Sequence, residues 1–269
     1  MKLTIAHSPD SDDAYMMAPL ALGWLAPDGF EIEFIRKDIE QLNAEATEAR
    51  YDITAISFGA YPELRDRYDL LTAGSSIQEG TGPLVVSQKP LAPAALRDLT
   101  IVIPGRRTSA YLSMRKWCAE QGFDPTVELL PFDQILPAVV AGRYEAGLLI
   151  HESQLMYREA GAHLVADLGA WWKQAYDLPL PMGGNAIRKD LPAEVKQRFA
   201  VLMRRSVELA QERHWESVDY SQSFGRGMDR EMIGRYVNAW VNEFTVDPGP
   251  RGREAVARLL GLEPVWIQG

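Results

Sequence analysis

At 269 residues the chain exceeds the usual size of a single hydrophobic core, so either one large domain or two lobes fit its length. A hydrophobic fraction of 46% and a charged fraction of 24%, with no low-complexity tract, exclude a disordered or fibrous protein, and a net charge of −9 argues against a general binder of nucleic-acid phosphates. A lone cysteine, Cys118, excludes an internal disulfide framework; no window approaches a membrane span, so no stable membrane insertion is expected. The apolar run at the start is too short for a signal peptide, which leads to the expectation of a cytoplasmic protein whose partner is a small molecule.

Leu3-Thr4-Ile5-Ala6 reads as a first strand, and the polar turn His7-Ser8-Pro9-Asp10-Ser11-Asp12-Asp13 follows it. Ala14, Met17, Ala18, Ala21, Leu22 and Leu25 recur at helical spacing; Asp12 or Asp13 can cap the open N–H groups, and Pro19 breaks the regularity. Glu31 to Arg36 alternates as a strand, Asp38 opens a helix through Ile39, Leu42, Ala46 and Ala49, and Tyr51 to Ser57 forms the next strand. The same order returns with a strand from Thr100 to Ile103, a helix from about Thr108 to Gln121 closed by Gly122, and a strand from Val127 to Leu130. A short helix ending at Gly142 and a strand from Tyr144 to Ile150 complete this second run.

Ala49-Arg50-Tyr51-Asp52 precedes one strand and Gly142-Arg143-Tyr144-Glu145 precedes another, 93 residues later. The local match and the shared order of elements predict two related α/β lobes built on parallel sheets. Ser57-Phe58 and Ile150-His151 then occupy equivalent strand ends, and two such lobes would gather strand ends and helix mouths around one ligand cleft. Crossings are expected near Ser87-Gln88-Lys89-Pro90 and in Leu178-Pro179-Leu180-Pro181-Met182-Gly183-Gly184, where glycines can absorb dihedral change. The expected division is 1–88 for the first lobe, 89–182 for the second, and 183–269 for a return to the first with C-terminal helices. A long helix after Pro192 carries the apolar stripe Val195, Phe199, Leu202, Met203 and Ala210, one follows Asp229, and a short one spans about Glu254 to Leu260.

Several motifs fail on inspection. Gly80-Thr81-Gly82-Pro83 lacks the third glycine of a dinucleotide fingerprint, and Gly105-Arg106-Arg107-Thr108 lacks the phosphate-loop lysine. The acidic run from Asp10 lacks the glycine and terminal glutamate of a calcium loop, the four histidines have no zinc-site spacing, and no nucleophile-elbow motif occurs. No metal or organic cofactor is therefore expected, and the chemistry left is positioning, acid/base transfer and fixed dipoles.

His151, delivered by an apolar strand, is the leading catalytic base; the competing reading is a hydrogen-bonded histidine that caps the strand. Glu152 points the opposite way along the chain and is discounted. Thr108 and Ser109, at a helix mouth, suit a carboxylate or phosphate, or simply cap the helix. Ser57 is either a ligand donor or a turn residue, and Asn43 is a weaker candidate because a polar helix residue ordinarily faces water. Arg106 and Arg107 read as a solvated turn that can attract an anion, and Trp171-Trp172 as either a cleft wall or packing.

The ordered set His7-Ser8-Pro9-Asp10-Ser11-Asp12-Asp13, Tyr51-Asp52-Ile53-Thr54-Ala55-Ile56-Ser57-Phe58, Gly80-Thr81-Gly82-Pro83-Leu84-Val85-Val86, Pro104-Gly105 with Thr108-Ser109-Ala110, and Ile150-His151-Glu152 resembles the 1,4-dihydroxy-6-naphthoate synthases of the futalosine route to menaquinone. The resemblance covers most of residues 1–190. It implies a two-lobed, type II periplasmic-binding-protein-like fold and conversion of cyclic dehypoxanthine futalosine to 1,4-dihydroxy-6-naphthoate, a lyase reaction without a redox cofactor. It also implies that His151 is the proton acceptor, that Ala55, Ile56 and Ser57 contact substrate, and that Thr108, Ser109 and Ala110 do so at the helix mouth. Some members carry Ser-Pro-x-Pro-Asn-Asp where this chain has Ser8-Pro9-Asp10-Ser11-Asp12-Asp13. Chorismate dehydratase, of similar architecture, and a non-catalytic solute-binding protein are the alternatives; the latter normally carries a leader or lipid anchor.

Overall fold

Strands and helices alternate along the chain in a computed structural model that describes residues 1–151, 153–224 and 228–269. The first stretch runs β1 (Lys2–His7), α1 (Ser11–Ala21), β2 (Glu31–Arg36), α2 (Ile39–Ala46), β3 (Ile53–Ser57), α3 (Tyr61–Leu64), β4 (Tyr68–Leu71) and β5 (Ser76–Gln78). Next come β6 (Leu84–Ser87), β7 (Thr100–Ile103), α4 (Ser109–Glu120), β8 (Thr126–Leu129), α5 (Phe132–Val140), β9 (Ala146–Leu149), α6 (Ser153–Met156), β10 (His163–Asp167) and α7 (Leu168–Tyr176). The last stretch holds β11 (Leu180–Arg188), α8 (Ala193–Glu212), α9 (His214–Ser221), α10 (Arg230–Trp240), α11 (Glu243–Val246), α12 (Gly249–Leu260) and β12 (Trp266–Ile267). Two compact units result, one of Met1–Ile77 with Pro181–Gly269 and the other of Gln78–Leu180.

In the first unit the sheet order is β12-β4-β11-β3-β1-β2, with β5 paired to β11. β1 lies between β2 and β3 and is parallel to both, while β11 runs antiparallel to β3. In the second unit the order is β10-β6-β9-β7-β8. Here β7 lies between β8 and β9, parallel to both, and β6 runs antiparallel to β9. The β-α-β-α-β run is thus arranged in the same way twice, with its first strand in the middle, and each time an antiparallel strand covers the third. β6, which the sequence reading placed before the crossing at 88, pairs in the second sheet. Its Leu84-Val85-Val86 run marks a buried strand but not the sheet it joins.

Each unit has its own core. In the first, Tyr15, Met16 and Met17 of α1 join Phe199, Met203 and Val207 of α8 beside Leu3 and Ile5 of β1. The helix begins earlier than the acidic pair suggested: Asp10 is the N-cap and accepts from Asp13 N at 3.2 Å, and Leu25 falls beyond its end. In the second unit Val86, Val102, Ile135, Val139 and Leu149 form the centre. α5 sits close on β9 because position 147 is glycine; a Cβ there would stand 2.6 Å from the Ile135 side chain and 3.0 Å from that of Val139.

The remaining glycine motifs also serve packing. A Cβ at Gly169, in the first turn of α7, would meet the Thr81 carbonyl carbon at 1.9 Å and Gly82 N at 2.4 Å. Gly80-Thr81-Gly82-Pro83 is therefore the seat of α7, fastened by Leu168 N donating to Pro83 O at 3.0 Å. Met182, Gly183 and Gly184, read from sequence as part of an irregular return, lie inside β11. Gly183 pairs with Ser57 and Gly184 with Ile56, and a Cβ at Gly183 would stand 2.9 Å from Ile56 O. The ladder takes the glycines as close-approach positions, which overrides the loop signal of their composition. Among the described residues no helix is long and apolar enough to cross a membrane.

Candidate active site

In the first unit the polar candidates collect at the C-terminal ends of β1 and β3. Asn43, on α2, is fully buried, and its amide clasps the last residue of β3: Nδ2 donates to Ser57 Oγ at 3.1 Å and Oδ1 accepts from Ser57 N at 2.9 Å. Asn43, the weaker candidate in sequence, does not face water: its amide is engaged by Ser57. Because Ser57 Oγ accepts from the amide, the hydroxyl's own proton is left to point elsewhere, so Ser57 is set up as a donor. Ala55 and Ile56 are buried in the strand behind it, Ala55 against Ala6, Leu42 and Tyr51.

The turn after β1 is tied by its own acids. Asp13 Oδ2 accepts from Ser8 N at 2.8 Å, and Asp12 Oδ2 accepts from Ser76 Oγ at 3.2 Å. Burial, with the Asp10 carboxylate adding to it, pushes the Asp13 carboxyl well above the usual carboxylate range, against the opposing bond from Ser8. The His7 imidazole, in contact with Ser8 O at 2.8 Å and edge-on to Phe34, is pushed down by burial. The acidic turn thus has a structural duty, with the cap at Asp10 in place of the expected Asp12 or Asp13.

In the second unit Thr108 is the N-cap of α4. Its hydroxyl accepts from Tyr111 N at 3.1 Å and donates to Gly105 O at 2.9 Å, so the side chain is committed to the cap and to the turn. The Thr108 hydroxyl therefore has no proton left to donate to a ligand. Ser109 and Ala110, the next two residues, are buried in the first turn of the helix. Arg106 is exposed and donates to Val127 O at 3.4 Å. Trp172 is fully buried with its Nε1 on Pro179 O at 3.0 Å, while Trp171 donates to Glu120 at 2.7 Å, which makes the pair part of the α4 and α7 packing.

His151 follows β9 after one further buried residue, Ile150, and is itself half-buried. Its backbone is left-handed, with φ +52, a conformation that costs a non-glycine residue roughly 1–3 kcal/mol and that tends to persist where surrounding structure enforces it. The turn is held by Ser153 Oγ donating to Ile150 O at 2.6 Å and by Gln154 N donating to His151 O at 3.2 Å. The imidazole makes a T-shaped contact with Phe132, the first residue of α5, with ring centroids 4.8 Å apart and planes at 62°. Glu152 lies outside the described residues. Phe132 is the residue the sequence reading passed over; in sequence it shows only as one apolar position at a helix start. The chain thus supplies, in one unit, a half-buried imidazole in an enforced turn and a committed helix cap, and in the other a preoriented serine hydroxyl.

Residues 3–263 match a family model described as menaquinone biosynthesis. A protein of Thermus thermophilus called 1,4-dihydroxy-6-naphtoate synthase is 39% identical over 257 residues, covering 96% of this chain and 92% of that one. A crystal structure from Archaeoglobus fulgidus superposes with a TM-score of 0.90 at 40% identity, covering 97% of this chain and 96% of that one. A Candida albicans gene product, described as exhibiting the generic periplasmic binding protein fold, gives a TM-score of 0.72 at 10% identity, over 97% of this chain and 89% of its own. The architecture of two doubly arranged α/β units is accordingly that of the two-lobed, periplasmic-binding-protein-like fold.

Proposed function

The chain belongs to the menaquinone-biosynthesis family, and from that premise we propose that it is a 1,4-dihydroxy-6-naphthoate synthase acting on cyclic dehypoxanthine futalosine. The observation that carries the reading is 39% identity to a synthase of that name across 96% of the chain. In this reading each candidate has a role. His151 takes a proton from the substrate, and the sugar-derived fragment leaves as the new ring becomes aromatic. The Ser57 hydroxyl, held by Asn43, donates to a substrate oxygen. Ala55 and Ile56 offer backbone and apolar contact, and the α4 mouth at Thr108, Ser109 and Ala110 presents backbone N–H groups to an anionic group. The reaction is a proton transfer and an elimination, which takes no hydride or electron acceptor. A biosynthetic role, with one buried free thiol, supports a cytoplasmic setting.

General-base catalysis contributes typically about 10² to 10⁴ in rate. His151→Ala is expected to lose turnover on that scale while its thermal unfolding stays close to wild type. The test is incubation of pure protein with cyclic dehypoxanthine futalosine, with the product followed by mass and absorbance. Substrate recovered intact, together with turnover of chorismate, would transfer the chain to the dehydratase reaction. A ligand bound tightly and returned unchanged would make it a receptor.

A further inference from the structure

We infer that Phe132 is a positioning residue for the His151 imidazole, an inference that rests on the base assignment above. Three features of the second unit point to it. The first is the ring contact itself, a T-shaped pair with centroids at 4.8 Å, within the range where the aromatic quadrupole favours an edge against a face. The second is that both rings are tied to one rigid seat. α5 packs on β9 through Ile135 and Val139 across the bare backbone of Gly147, so the helix start that carries Phe132 is fixed relative to the strand end that carries His151. The third is the backbone of His151. A residue with φ +52 cannot relax into an ordinary strand or helix without undoing its turn, so its Cα–Cβ bond leaves the chain in a fixed direction, and Phe132 meets the ring that it carries.

Phe132 is almost fully buried, with 6% of its surface exposed, and Pro131, in an extended conformation, precedes it as the N-cap of α5. Its ring presents no donor or acceptor, so it neither competes for the imidazole nitrogens nor brings water to that side. It therefore restricts the imidazole on the side of the contact without taking a hydrogen bond from it. Phe132 touches the base and not the reacting atoms, so its effect is expected on the chemical step more than on substrate binding.

The experiment compares Phe132→Leu, Phe132→Tyr and His151→Ala in steady-state turnover of cyclic dehypoxanthine futalosine, with thermal unfolding and imidazole proton NMR on each. The chain has four histidines, and His151→Ala identifies the resonance to follow. Misplacing a reacting group by about 1 Å costs on the order of 100-fold, so Phe132→Leu is expected to lower kcat roughly 10- to 100-fold while KM moves less than about threefold. Phe132→Tyr, which keeps the ring, is expected to stay within about threefold of wild type. The His151 ring proton should carry a ring-current shift from Phe132 in wild type and in Phe132→Tyr, and lose it in Phe132→Leu. If Phe132→Leu does not fold, Phe132→Met replaces it, since methionine fills the space without a ring. A ringless variant with wild-type kcat, or an unshifted His151 resonance, overturns the inference. Normal turnover in His151→Ala overturns the base assignment itself, and the two failures are distinguishable because the second needs no Phe132 variant.

Discussion

Asn43→Ala isolates what the amide contributes to the strand end that carries Ser57. The side chain is fully buried and makes two bonds with one residue, donating to Ser57 Oγ at 3.1 Å and accepting from Ser57 N at 2.9 Å. Alanine removes both and leaves a buried backbone N–H without its acceptor. A lost bond is worth about 0.5–1.5 kcal/mol net and a stranded buried donor about 1–3 kcal/mol, so the variant is expected to be roughly 2–4 kcal/mol less stable. Ser57→Ala keeps the backbone bond but strands one N–H of the buried Asn43 amide, so its cost is expected at roughly 1–3 kcal/mol and below that of Asn43→Ala. Urea unfolding of the two variants beside wild type measures both. Activity should rank the other way relative to stability: Ser57→Ala lowers kcat/KM through the lost hydroxyl with most of its stability intact. Asn43→Ala within about 0.5 kcal/mol of wild type, or Ser57→Ala costing more than Asn43→Ala, refutes the claim that the amide is the anchor of this pair.

Gly169→Ala places a methyl 1.9 Å from a backbone carbonyl carbon, where no flexible side chain can give way, so α7 must lift from its seat. The expected loss is at least roughly 1–3 kcal/mol, seen as a lower melting temperature, and an unchanged melt contradicts the packing reading of the Gly80-Thr81-Gly82-Pro83 segment. Folded His7 and His214 both titrate below the ordinary histidine value, chiefly through burial, so the unfolded chain binds more protons between that lowered value and about 6.5. Stability from these two residues is therefore lost as pH falls through that window. The Asp13 carboxyl, pushed the other way, binds its proton in the fold above the pH at which the unfolded chain releases it, and so opposes the loss. Melts of Asp13→Asn from pH 8 to 5 are expected to fall more steeply than wild type, and a shallower slope counts against the assignment. The Cys118 thiol is fully buried and pushed up to about 12 by that burial, so a thiol reagent at pH 7.5 is expected to label it only on unfolding, and rapid labelling of the native protein is the contrary result.

The parallel part of each sheet was legible because its strands stand as short runs between turn signals, alternating at the exposed edge and continuously apolar inside. Glu31 to Arg36 and Thr100 to Ile103 coincide end to end with β2 and β7, and the repeated order of elements returns as the same strand arrangement in both units. The antiparallel strands were harder, for a reason that lies in pairing rather than pattern. Leu84-Val85-Val86 reads as a strand anywhere, but only its ladder with Ala146 to Leu149 assigns it to the second sheet. β11 was hidden in the opposite way, since glycines and prolines advertise a loop, whereas here they let the strand approach Ile56 and Ser57.

The candidate site divides along the same line. His151 could be singled out because its position is local: a polar residue one step past the end of an apolar strand. Neither its left-handed backbone nor its ring contact with Phe132 is local, since the contact joins the start of one helix to the end of the following strand. Asn43 failed as a sequence signal for a related reason. A helix residue is judged polar or apolar by the stripe it belongs to, and Asn43 sits between Leu42 and Ala46 on a helix of mixed faces. What decides its role is a strand end 14 residues further along the chain, where a backbone N–H and a hydroxyl both need partners. Thr108 shows the converse. Its place before a helix was plain in the sequence, and the structure spends the hydroxyl's proton and one lone pair on that turn and cap, so the groups at the α4 mouth with a proton to offer an anion are the peptide N–H groups that the cap leaves in line. A Thr108→Val variant should therefore lose helix stability of about 0.5–2 kcal/mol and little substrate affinity, whereas a loss of affinity without a loss of stability would return the hydroxyl to the substrate.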